Sequence, residues 1–79
     1  MLLLGFTPLY AQKISKLKES YDAAIQLFKA EKYQAAKSGF TTLISADKSK
    51  ILTPYSLYFK GLSEFRLGEK ESARNTIVS

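Results

Sequence analysis

The chain has no cysteine, no histidine and no tryptophan. Without cysteine no disulfide can staple a small domain and no thiol can carry a lipid. Without histidine the commonest general base near neutral pH is gone, and the loss of both removes the usual zinc ligands. Acidic residues are scarce, seven Asp and Glu against twelve Lys and Arg, which leaves a formal net charge of +5. Such an excess suits nucleic acid, an anionic surface or an acidic partner. It also suits plain solvated helix faces, because the positives are spread and only Lys13, Lys16 and Lys18 cluster.

Catalytic patterns are missing as well. There is no Gly-rich phosphate loop, no metal-ligand set and no nucleophile beside a base. The nearest approach to paired carboxylates is Glu64 with Glu69 or Glu71, and at these spacings they read as solvated helix faces. The expectation is therefore a protein that is not an enzyme and has no cofactor, no bound metal and no small-molecule substrate. What is present is apolar: 46% of the residues are hydrophobic, and five Tyr and five Phe give a high aromatic content for 79 residues. That balance predicts one small folded domain rather than a disordered segment.

The N-terminal stretch MLLLGFTPLYAQ (residues 1–12) is apolar and uncharged. It is too short to span a bilayer. It is about the length of the hydrophobic region of a signal peptide, with Ala11 as the small residue before a cleavage point. Residues 1–11 are expected to be the remnant of an export signal. The other reading is an apolar arm packed on the first helices.

Helical periodicity begins at Lys13. Ile14, Leu17, Tyr21, Ala24, Ile25 and Phe28 lie on one face of a helix to Ala30. Glu31 and Lys32 break it. Tyr33, Ala36, Phe40, Leu43 and Ile44 form a second face, ended by the polar run Ser45 to Lys50. Thr53 as cap and Pro54 at the first position start a third helix, lined by Tyr55, Tyr58, Leu62 and Phe65. Gly68 turns the chain, and Ala73 and Ile77 mark a fourth.

The two helix pairs echo each other at a spacing of 37 residues. Tyr21 recurs as Tyr58, Ala24 as Gly61, Ile25 as Leu62, Phe28 as Phe65 and Lys29 as Arg66. Ala36 recurs as Ala73, Lys37 as Arg74 and Phe40 as Ile77. A repeat of this length with helical spacing predicts stacked helical hairpins. Ala24, Gly61, Ala36 and Ala73 are the small residues that let helices approach, and Phe40 and Ile77 supply the bulk beside them. Gly61 costs about 1 kcal/mol in helix propensity, and close packing is the reason to keep it.

KYQAAKSGF (Lys32–Phe40) resembles the turn and second helix of a tetratricopeptide repeat, with Tyr33, Ala36 and Phe40 at its characteristic places. Gly61, Gly68, Ala73 and Ile77 match the small, turn, small and large positions of a second unit. Over Ser20 to Ser79 the chain is similar to the repeats of bacterial envelope proteins. Those are the cell-division coordinator of the Tol-Pal system and the outer-membrane assembly lipoprotein. The spacing departs from the family's common 34, and the extra length fits a longer loop around Asp47 to Thr53. Lys70 stands where a turn aromatic is usual, and no lipid-bearing cysteine follows the apolar leader.

The resemblance implies an all-α fold of antiparallel helix-turn-helix repeats, a small α-solenoid of about four helices. It places unit one at about 17–48 and an incomplete unit two at about 54–79, within a domain of residues 12–79. It implies a concave face built by Lys18, Tyr21, Ile25, Phe28 and Lys29 with Tyr55, Tyr58, Leu62, Phe65 and Arg66. The packing residues would be Ala24, Tyr33, Ala36, Phe40, Gly61, Gly68, Ala73 and Ile77. The aromatic stripe also fits an inter-repeat core. The function implied is a protein-interaction scaffold of the bacterial envelope or periplasm, binding another protein or a peptide segment. The alternative is a basic helical module for nucleic acid or an anionic surface. Because the echo stops inside its second copy, the chain is expected to be the start of a longer repeat protein. Alone, it is expected to fold poorly or to self-associate.

Overall fold

The computed structural model describes residues 9–78, with side chains from residue 15 onward; the expected leader, residues 1–11, falls largely outside them. Four helices follow one another: α1 (Leu9–Lys29), α2 (Tyr33–Ala46), α3 (Thr53–Arg66) and α4 (Lys70–Val78). The described residues contain no strand. Helix α1 is described from Leu9, four residues before the expected Lys13, and runs without a break through Ala11 and Gln12. Each helix packs on its neighbour in the chain, and α1 also reaches α3, while α4 touches α3 alone among the helices. The result is a slab of 53 × 26 × 13 Å made of two consecutive helical hairpins.

The two hairpin turns use one device. At the first, the Glu31 N–H donates to the Phe28 carbonyl and the Lys32 N–H to the Leu27 carbonyl, both at 2.9 Å. At the second, the Gly68 N–H donates to Phe65 at 3.0 Å and the Glu69 N–H to Glu64 at 2.8 Å. This pair of bonds satisfies the orphan carbonyls at a helix end and needs one residue in the left-handed region. Gly68 takes it at φ 87° without a side-chain clash, whereas Glu31 takes it at φ 62° against its own Cβ. The two positions are 37 residues apart, so the turns join the echo.

The loop between hairpins, expected around Asp47 to Thr53, lies there and is organised by Asp47. Its carboxylate is buried. It accepts from the Ser49 hydroxyl at 2.6 Å, the Lys50 N–H at 3.1 Å, the Leu52 N–H at 2.8 Å and the Thr53 hydroxyl at 3.0 Å. Thr53 is therefore not the cap that was expected. Leu52 holds the cap position with no side-chain bond, Pro54 sits in the first turn, and Thr53 spends its hydroxyl on Asp47.

The core is centred on Ala24, Ala36 and Phe40, with Tyr21, Ile25, Leu27, Phe28 and Phe59 packed around it. Helices α1 and α2 meet at Ala24 and Gly39, so closely that a methyl added at Gly39 would lie 3.2 Å from the Ala24 Cβ. Helices α3 and α4 meet at Gly61, where an added methyl would lie 2.5 Å from the Ile77 Cγ1. Ile77 covers Gly61 with one side and leaves the other in solvent, 48% exposed, so it does not fill a closed core as Phe40 does.

Candidate functional site: an exposed aromatic stripe on α3

Positions 55, 58, 62 and 65 repeat at intervals of three, four and three, which places them in one row on a helix. In α3 this row faces out. Tyr55, Tyr58 and Phe65 are 58%, 52% and 53% exposed, with Leu62 half-buried between them. The buried side of the same helix is formed by Ser56, Phe59 and Ser63 toward the first hairpin and by Gly61 and Glu64 toward α4.

The matching row on α1 has a different fate. Tyr21 lies edge-on to Phe40 with ring centroids 6.0 Å apart, and Phe28 lies edge-on to both Tyr33 and Phe59 at 5.4 Å. Ile25 packs on the same core. Burial first, then the nearby charge of Asp22, pushes the Tyr21 phenol above its ordinary value, with Lys18 opposing. Of the ten side chains expected to face a partner, Tyr21, Ile25 and Phe28 thus contribute to the core between hairpins. Tyr55, Tyr58 and Phe65 face solvent.

The charged members stand at the edges. Lys18 is exposed and pairs with Asp22 at 3.0 Å. Lys29 is exposed. Arg66 donates to the Tyr33 hydroxyl at 2.9 Å and lies 5.6 Å from the centre of that ring, linking α3 back to α2. Among the packing residues, Ala24, Ala36, Phe40, Gly61 and Ala73 are buried, Tyr33 is half-buried, and Gly68 is exposed in its turn.

Two carboxylates expected on solvated faces are instead held by cross-helix contacts, one buried and one half-buried. Glu64 is buried against α4. It accepts from the Lys60 ammonium at 2.8 Å and the Thr76 hydroxyl at 2.7 Å, and Lys60 also donates to Thr76 at 3.1 Å. Burial pushes its carboxyl up, but these bonds and the charges of Lys60 and Lys37 outweigh it and hold the group below its usual value. Glu69 accepts from Lys37 at 2.7 Å across the two hairpins, and that bond raises the Lys37 ammonium. Glu71 is exposed, as expected. The reason for the difference is a helix pairing that single-helix periodicity does not display: position 64 lies under α4.

Every large hydrophobic residue left exposed in the described part lies in its second half: Ile51, Tyr55, Tyr58, Phe65, Leu67, Ile77 and Val78. No three metal-ligating side chains gather among the described residues, and no helix there is long and apolar enough to cross a membrane. No family model, no curated protein and no solved structure matches the chain.

Proposed function

We propose that this chain is a non-catalytic protein-interaction scaffold that receives a partner on the α3 stripe. The observation that carries this reading is the row Tyr55, Tyr58 and Phe65, aromatic, regularly spaced and more than half exposed on one face of α3, with Leu62 half-buried between them. Exposed aromatic side chains on a fixed scaffold are the usual anchors of protein interfaces. A contiguous apolar patch in solvent is unfavourable unless something covers it. The buried carboxylates support a structural role in place of catalysis, since Glu64 and Asp47 are both engaged in holding helices and the loop together.

The consecutive packing of two similar hairpins favours a tetratricopeptide-like repeat. The apolar leader favours export to a bacterial envelope. The test is to screen displayed helical and extended protein segments against the chain and against a Tyr55→Ser, Tyr58→Ser, Phe65→Ser variant of equal helicity. Segments retained by the parent and released by the variant are expected. Retention that ignores the variant, or salt-sensitive retention of generic DNA alone, contradicts the reading.

A further inference from the structure

The chain contains its own example of how such a stripe is covered. The outgoing face of the first hairpin is Tyr21, Phe28, Lys37 and Phe40. Against it the second hairpin sets Phe59, which stacks on Phe40 with centroids 5.8 Å apart and lies edge-on to Phe28 at 5.4 Å. Ten residues later Glu69 pairs with Lys37 at 2.7 Å. Adding 37 to each receiving residue gives Tyr58, Phe65, Arg74 and Ile77. All four are exposed, and among the described residues Arg74 pairs with no carboxylate.

The opposite end of the molecule does not offer the complement. The residues 37 before Ser56, Phe59 and Ser63 are Glu19, Asp22 and Gln26, all polar and exposed. A second copy stacked head to tail would set carboxylates against aromatic rings, at the cost of desolvating charge. Head-to-tail stacking of copies therefore does not supply the complement, and a face-to-face pair would set Arg74 beside the same aromatic row with no ring presented ten residues before a carboxylate.

We propose that the α3–α4 face binds a helical hairpin of a partner protein, one that brings an aromatic ring against Phe65 and Ile77 and, ten residues on, a carboxylate to Arg74. This deepens the scaffold reading and rests on it. Small residues before and after the partner's aromatic, as Ser56 and Ser63 flank Phe59, let its helix lie close. A flexible or extended segment lacks the fixed spacing between ring and carboxylate.

The probe is a synthetic peptide of residues 49–78, which carries Phe59 and Glu69 at the required spacing, with Tyr58→Ser and Phe65→Ser changes that prevent it from stacking on itself. It is titrated into the full chain by calorimetry. Saturable binding is expected, weakened about tenfold, or about 1.4 kcal/mol, by Arg74→Glu in the chain. A Glu69→Lys peptide should recover that loss. Arg74 is exposed, and circular dichroism checks that its variant keeps its helices. No binding by the peptide under conditions where circular dichroism shows it helical, or binding indifferent to Arg74→Glu, overturns the proposal. So does binding sensitive to Lys37→Glu instead, which would mean that the peptide displaces the chain's own second hairpin. If segments from the screen still bind the parent and not the stripe variant, the scaffold reading stands while this inference falls.

Discussion

Phe59 stacks on Phe40 with ring centroids 5.8 Å apart and planes inclined by 18°. The contact joins the third helix to the second, and with the edge-on contact to Phe28 it makes Phe59 the residue that locks the two hairpins together. Phe59→Ala should destabilise the chain by about 3 kcal/mol, near the low end for a core phenylalanine because the ring is only half-buried. Urea unfolding followed by circular dichroism measures it. A loss no larger than that of an exposed aromatic would contradict this packing.

The periodicity along the chain was enough to place four helices, the break at Glu31 and Lys32, and the turn at Gly68. The residues it missed share one property. Ser56, Phe59 and Ser63 have Glu19, Asp22 and Gln26 as their counterparts 37 residues earlier. The first hairpin turns those positions to solvent, while the second buries them against its neighbour, so the echo vanishes where the packing differs. A single aromatic between polar neighbours carries no helical period by itself. Asp47 and Glu64 were hidden for a related reason: their burial depends on a loop closing over one and α4 covering the other.

Glu31→Gly tests the turn that the two hairpins share. Glu31 holds a left-handed backbone at φ 62°, where its echo Gly68 sits at φ 87°. Relief of that strain should stabilise the chain by about 1 kcal/mol. A lower unfolding midpoint in the variant would show that the first turn is held differently.

Ser56→Ala should also stabilise. The Ser56 hydroxyl is fully buried without a hydrogen-bond partner among the described residues. Removing an unsatisfied hydroxyl recovers about 1 kcal/mol or more. Ser63→Ala is the control, because the Ser63 hydroxyl donates to the Phe59 carbonyl at 2.8 Å. A thermal melt should rise for the first and not for the second.

Acid should unfold the chain through Asp47 and Glu64. Burial raises both carboxyls, but hydrogen bonds to each, and for Glu64 the charges of Lys60 and Lys37, leave both below their ordinary values when folded. Each therefore contributes stability that is fully present above the unfolded values, about 3.9 for Asp and 4.3 for Glu. That stability is lost as pH falls through the lower folded values. Unfolding midpoints measured from pH 6 to pH 3 should fall steeply for the parent. The slope should be shallower for Asp47→Asn and for Glu64→Gln, and unchanged slopes would remove these two groups from the account.

The central claim is that the α3 row is a surface for a partner rather than part of the fold. The direct measurement is the urea unfolding free energy of the Tyr55→Ser, Tyr58→Ser, Phe65→Ser variant beside the parent and Phe59→Ala. The account predicts that the triple variant stays within about 1 kcal/mol of the parent, as expected for exposed positions, while Phe59→Ala falls well below it. A triple variant as unstable as Phe59→Ala would show that the row is core, and would contradict the claim.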